Sequence, residues 1–596
     1  MQKIPRIVSL ATLFVALISS GCDSRSIGPA DGAVIPDTGT PTDAGVFTDA
    51  GTPDTGAADT GIPDAGPVYP ACGSNTYAWQ GLIPGKGDPN FDADLDKLAR
   101  AYDRCWTVFN AAPFGMNMDA TVKLTNTENR DLIAKWLKER DDWDFKAYAG
   151  KEPMEVIDSW GDSVGMYGGA GAAADAFRYA VLRDRGEDCA EVARARAQLL
   201  PVLHALHRAT EITGVPGVIA RSITRRDLPG NDQIQTTPLF DDAGSPLPPE
   251  KNNGTWREDN SGKNPGWIWN DSCSRDMLVG WAQAYAAVYE VIRDDPSFDA
   301  ALKARLREDA RQIGLSLSKV QASGYDLEIR DADGRMTYHG VLNEQAIDRS
   351  YTPGVQNGFY AIMSLGIVSG LAYVSGDPDL LSYIKKELLH KRKLHILARD
   401  DMMEIDMGVY SNFSNDNMAI TGAWLALRYT PDADARKVLQ NAVENSIYSI
   451  PGKKRQPAEM KQTFFDVVDA FSVTQGSAFN APAAPPDEGA LARGIETLKG
   501  FPFPPYWDVL VTNCDDAEIA AAACTLNDGT QVKLLGNVGW GNDLVADQPI
   551  PMRVRPPSNY VWRSNPYVPN GGGDGSRLLP AVDFRMAYWM GRWTRR

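Results

Sequence analysis

Four times along the chain, a helical run that is small or apolar on nearly every face is followed by one with a single apolar stripe. The first members span 162–184, 274–293, 357–375 and 414–429, and the second 189–213, 298–323, 379–399 and 434–449. A helix that is apolar all round is buried, whereas a striped one lies between core and water. Short polar connectors, such as 183–188 and 430–434, join the members into αα-hairpins. Regions 91–140 and 463–500 supply two more. Buried helices inside and amphipathic helices outside predict an all-α fold. The expected form is an (α/α)6-type toroid of helical hairpins with irregular loops and a small β-hairpin insertion.

The stretch from Trp267 to Pro296 carries this pattern most clearly. Ser274 is the expected N-cap, and Asp276 follows in the first turn, where a negative charge suits the helix dipole. Leu278, Trp281, Ala282, Tyr285, Tyr289 and Ile292 repeat at helical spacing, and Gly280, Gln283, Ala284 and Ala287 cover the other face. Hairpin order puts the inner N-termini at one mouth, so Asp162, Asp276 and Asp416 are expected to converge there. Ser274-x-Asp276 and Ser414-x-Asp416 share a local pattern, which repeated capping alone would also explain.

Other segments feed the same mouth. The long loop Val215–Cys273 holds Arg221, Arg225, Trp256, Trp267 and Trp269. A loop of that length inside a compact domain is functional or disordered, and three tryptophans argue against disorder. Indole faces near acids and arginines suit sugars, although packing the loop onto the barrel would serve equally. Tyr325–Arg330 and Met336–His339 flank an Asp-Ala-Asp-Gly turn, a β-hairpin that would bring Tyr338 and His339 to the mouth. The last hundred residues read as irregular chain wrapping the barrel, with a final helix at Val582–Arg592.

Charge and cysteines narrow the class. The net charge of −17 leaves no basic stripe for nucleic acid. Residues 1–22 read as a lipoprotein signal peptide. Lys3 and Arg6 precede an apolar run, and Ser19-Ser20-Gly21-Cys22 resembles a lipobox with Cys22 as the lipidated residue. Residues 23–68 repeat Asp among Gly, Pro and Thr, a composition that stays extended as a spacer. The globular domain is 69–596. Its six cysteines, an even number in an exported chain, imply disulfides, with Cys514–Cys524 the simplest pair. Asp331 and Asp333 begin like a calcium loop, but the remaining ligands are missing. Asp400, Asp401, Glu404 and Asp406 form an acidic run expected to be solvated. Neither a metal nor a cofactor is expected, and no later segment reads as a membrane span.

The segments at 220–227, 269–285, 323–340, 412–429 and 582–593 together resemble exported bacterial lipoproteins of (α/α) toroid fold. These are similar in general organisation to the six-hairpin glycosidases and polysaccharide lyases. The resemblance implies a lipid-anchored, carbohydrate-active protein of the bacterial cell envelope, with a polysaccharide or oligosaccharide as partner. Two chemistries fit the residues. A glycoside hydrolase needs two carboxylic acids, for which Asp271 and Asp276 are the first pair and Asp416 and Asp162 the reserve. This is the leading expectation. A polysaccharide lyase needs a base such as His339 or a tyrosine, with Asn or Arg to neutralise a uronate; Tyr351, Arg349 and Asn357 lie in that region. A glycan-binding or structural role would keep the tryptophans and the tether and need no catalytic acid.

Overall fold

The computed structural model describes residues 69–594 except 77–80, 403–407, 451, 453, 475–477, 479–486, 540, 559 and 562–563. The signal segment with Cys22, the spacer 23–68, and Glu404 and Asp406 of the acidic run lie outside the described residues.

Six helices form the centre: α1 (Gly165–Asp184), α2 (Arg275–Ile292), α3 (Gly358–Ser375), α4 (Phe413–Tyr429), α5 (Thr463–Thr474) and α6 (Val582–Trp593). Each touches the next along the chain, and α6 returns to α1, so the contacts close a cycle. Amphipathic helices back this ring. Cys189–Glu211 packs on α1, Ala300–Ser318 on α2 and α3, Leu394–Asp400 on α3, Ala433–Ala442 on α4, Glu488–Lys499 on α5 and Ala93–Cys105 on α6.

Glycines set the ring spacing. A Cβ on Gly169 would stand 2.0 Å from the Gly280 carbonyl oxygen, and one on Gly366 would stand 2.2 Å from that of Gly422. The α1–α2 and α3–α4 crossings are therefore backbone against backbone. This close packing offsets the helix propensity that glycine gives up. The closing α6–α1 seam is ionic instead. Arg585 donates to Asp103 at 2.8 Å and to Asp175 at 2.6 Å, Arg178 pairs with Asp103 at 3.1 Å, and Trp589 donates to Asp103. All of these groups are buried, so each charge depends on its partners. The α3 helix is long and apolar enough to cross a membrane, yet nearly all of its residues are buried inside the ring.

The all-α expectation is corrected to a helix-rich fold with several small sheets. The long loop is not irregular throughout: Ser163–Val164, Ser222–Arg225, Trp267–Asn270 and Trp256–Glu258 pair in that order as an antiparallel sheet. The C-terminal hundred residues hold strands as well. Tyr506–Val511 and Gly571–Leu579 pair with each other, and the latter also pairs with Ala120–Thr121; Ala523–Thr525, Gln531–Asn537 and Leu544–Ala546 form a second sheet. The expected hairpin is present as Glu328–Arg330 against Met336–Val341.

Cys514–Cys524 is a disulfide, and Cys72–Cys189 is another, tying the start of the domain to an outer helix. Cys105 and Cys273 are buried thiols. Two local readings change. Ser274 occupies the N-cap position of α2 without capping it, and Asn412 rather than Ser414 caps α4.

Candidate functional site

The N-termini of the ring helices gather at one end. The Met166 amide of α1 faces the Met277 sulfur of α2 at 3.4 Å, and Asn417 of α4 reaches the Met166 sulfur at 3.6 Å. Tyr560 donates to Asn417 and packs on the Tyr167 ring, while the next amide, Val561, donates to Asp583 of α6 at 2.6 Å. Gln462, before α5, donates to the Val561 carbonyl at 2.8 Å. Asp276 and Asp416 lie in the first turns of α2 and α4, beside Met277 and Asn417, so both belong to this mouth. Its centre is filled: Met166, Asp276, Asp416, Asn417 and Tyr560 are all buried. Burial pushes the Asp583 carboxyl up to about 7.

The accessible chemistry is on the rim. Ser272 accepts from the Tyr338 amide at 2.9 Å, and Cys273 accepts through its carbonyl from Thr337 at 2.7 Å. These bonds lay the strand Met336–Val341 across the entry to α2. They bring His339 to Asp348, with Nδ1 3.8 Å from Oδ1, an ion-pair separation. Arg275 anchors the same aspartate through its carbonyl oxygen at 3.0 Å and its carboxylate at 3.1 Å. Tyr360 donates to the Asp348 carbonyl at 2.8 Å, and the Arg349 guanidinium lies 4.2 Å over the Tyr338 ring. His339, and then Arg275, hold the Asp348 carboxyl well below the usual carboxylate range despite burial. Asp348 also has φ 51°, in the left-handed region, where a non-glycine residue is uncommon. The Asp348 side chain is 48% exposed and that of His339 15%, so a ligand can approach them from solvent. Nearby, Arg221 donates to the Ser274 hydroxyl at 2.9 Å, which in turn donates to Asp276.

Asp271 sits in a different environment. Its carboxylate accepts from Arg257 at 2.7 and 3.1 Å, from Lys251 at 3.2 Å and from the Thr255 amide at 2.8 Å. Lys251 also reaches Asp331 at 2.5 Å and Asp333 at 3.1 Å. The acidic turn that resembled a calcium loop thus holds an ammonium. Burial, with Asp271 next in weight, raises the Asp331 carboxyl above its ordinary value.

The other sequence candidates are spread out. Asn357 caps α3, accepting from the Phe359 and Tyr360 amides and donating to Ala346. Tyr351 stacks on Tyr325 at 3.8 Å and donates to Glu328. Trp269 is fully buried and donates to Glu258. Trp256 is half-buried on an outer strand of the long-loop sheet. Arg225 and Trp267 are paired across that sheet, at the end away from Arg221. Sequence reasoning missed Arg275, Asp348 and Lys251. Arg275 was visible only as a cation in the first turn of α2, and Asp348 only as part of a charged pair after the hairpin.

No family model and no curated protein matches the chain. Among solved structures, it is similar to a crystal structure of a D-mannose isomerase, with 11% identity, 69% of this chain and 99% of that chain covered, and a TM-score of 0.27. It is also similar to a metagenome-derived glycoside hydrolase family 9 endoglucanase, with 13% identity, 84% and 81% covered, and a TM-score of 0.35. Both likenesses are distant.

Proposed function

We propose that the chain is a carbohydrate-active protein built as an (α/α)6 toroid, cleaving an acidic polysaccharide by proton abstraction at the mouth rim. The carrying observation is the His339–Asp348 pair, 3.8 Å apart, with Asp348 half-exposed and His339 mostly buried at the rim, among Arg275, Arg349 and Tyr338. A histidine oriented by a carboxylate is suited to act as a general base near neutral pH. In this reading His339 takes the proton beside a uronate carboxylate, and Asp348 stabilises the imidazolium that forms. Arg275 and Arg349 neutralise the uronate as charge moves onto it. The bond to the leaving oxygen breaks as the ring double bond forms, and that oxygen takes a proton from Tyr338 or water. Tethering through a lipidated Cys22 and the 23–68 spacer belongs to the same proposal. It is tested by incorporation of labelled palmitate, which Cys22→Ser would abolish.

The hydrolase reading now rests on Asp276 and Asp416, because Asp271 is buried and ion-paired with Arg257 and Lys251. The shared mouth of α2 and α4 favours it, and their burial counts against it. One screen separates the readings: whole protein on a polysaccharide panel, following unsaturated-uronate absorbance and reducing ends together. The lyase predicts absorbance that is lost in His339→Asn and kept in Asp276→Asn. Reducing ends without absorbance, lost in Asp276→Asn, would replace it with the hydrolase. Silence in both, with retention on a glycan gel, would leave a binding protein.

A further inference from the structure

The turn that carries Asp348 is a two-residue hairpin. Ile347 pairs with Ser350 and Ala346 with Tyr351 in antiparallel register, so Asp348 and Arg349 are its two central residues. Asp348 has φ 51°, the only positive φ of the two. A tight hairpin with a positive φ at its first central position ordinarily places glycine there, because a side chain is strained in that region. An aspartate held against that preference points to a use for its carboxylate, and the surrounding structure has to keep it in place.

The hold comes from two ring helices. Arg275, the first residue of α2, and Tyr360, in the first turn of α3, both donate to the Asp348 carbonyl oxygen, at 3.0 and 2.8 Å. Arg275 lies 5.1 Å from the Tyr360 ring and also reaches the Asp348 carboxylate at 3.1 Å. Tyr360 is itself fixed. It is fully buried, its amide donates to the Asn357 cap at 3.4 Å, and its ring tilts against that of Phe359, which is buried as well. Its phenol thus grips the backbone of Asp348 from a rigid base, while His339 meets the carboxylate of the same residue at 3.8 Å. A short side chain points where its backbone directs it, so what fixes the carbonyl also fixes where the imidazole is met.

We propose that Tyr360 is a positioning residue for the rim. Through its hydrogen bond to the Asp348 carbonyl it holds the left-handed turn, and so it sets the carboxylate against His339. Its part in turnover rests on the lyase reading, but the geometry it enforces exists without substrate. Tyr360→Phe removes the donor and keeps the ring, so the packing on Phe359 and Arg275 is retained.

The test is a double-mutant cycle on the whole protein carrying isotope-labelled histidine, of which the chain has five. The His339 ring signal is the one missing in His339→Asn. At one fixed pH, Asp348→Asn should displace that signal, and Tyr360→Phe should displace it too. In the Asp348→Asn background Tyr360→Phe should add little, because it acts through that carboxylate. Unchanged melting temperatures confirm that the variants are folded; if Tyr360→Phe fails to fold, Tyr360→Met, which fills the space without a donor, carries the same cycle. A His339 signal unmoved by the loss of the hydroxyl, or moved equally in both backgrounds, would overturn the proposal. With polygalacturonate as the probe, Tyr360→Phe should lower kcat about tenfold at unchanged KM, part of the roughly 10²–10⁴-fold that a positioned base supplies. A rise in KM at unchanged kcat would make Tyr360 a binding residue and overturn the proposal as well. A protein inactive on every polysaccharide would sink the lyase reading, and the histidine cycle would still decide this one.

Discussion

Asp271 and Asp276 lie on one loop-to-helix stretch, yet their surroundings give them different work. Asp271 has Arg257, Lys251 and a backbone amide on its two oxygens. Three of these bonds fall on Oδ2, two of them from Arg257 and one from Lys251, so a substrate would have to break an ion pair to use that oxygen. Asp276 takes a hydroxyl whose other partner is Arg221, and it sits one residue from Arg275, which holds Asp348 of the exposed rim. The lesson is that a carboxylate's role follows from what already satisfies it. Asp271 fixes the long loop to the hairpin, whereas the segment beginning at Ser274 connects to groups a ligand can reach.

The two regions should therefore fail in different ways. His339→Asn is expected to lower turnover by about 10²–10⁴-fold, the usual contribution of a positioned base, with the urea midpoint unchanged. Steady-state rates beside an unfolding curve check it, and a midpoint loss matching the rate loss would recast His339 as structural. Asp271→Ala should do the reverse. It strands Arg257, whose side chain is 1% exposed, and losing one partner of a buried pair costs about 3–5 kcal/mol. Unfolding free energy should fall by that amount, while activity per folded molecule holds. Lost activity at full stability would bring Asp271 back as a catalytic acid.

The hairpin plan was legible in the sequence because helical periodicity is local, and the connectors between paired helices are short. The all-round smallness of 165–184 marked it for burial, and its Gly165 and Gly169 do meet Gly280 of α2. The hidden parts are those that depend on distant pairing. Ser222–Arg225 and Trp256–Glu258 are too short for alternation to declare a strand, and their sheet forms only when Trp267–Asn270 lies between them. The rim depends on Arg275 meeting a residue 73 positions away, and the closing seam joins Arg585 to a residue 482 positions away. The three inner aspartates were expected to converge, and for two of them the first turn is where they lie. What the sequence could not reveal is that the mouth centre is buried, because its cover, Tyr560, comes from the far end of the chain.

Asp583 sharpens the comparison with the smallest effect. It starts α6 as Asp276 starts α2, but its oxygens take the Val561 and Phe584 amides, at 2.6 and 2.9 Å. Burial prevails over these amides and over the charge of Arg555, and its pKa rises to about 7. An unfolded aspartate titrates near about 3.9. Between those values the folded protein keeps a proton that the unfolded chain has released, so folding takes one up. Stability from this group is fully present below about pH 4 and is lost as pH rises toward about 7, with a slope of at most about 1.4 kcal/mol per pH unit. Asp469, raised to about 7 by burial and by Asp487, adds the same sign. Asp583→Asn should therefore flatten part of the fall in unfolding free energy between those pH values, leaving the part due to Asp469 and the other aspartates that burial raises, Asp466 and Asp331 among them. Urea titrations across that range decide it, and an unchanged slope in Asp583→Asn would mean that Asp583 stays ionised and that its two amides suffice for a buried charge.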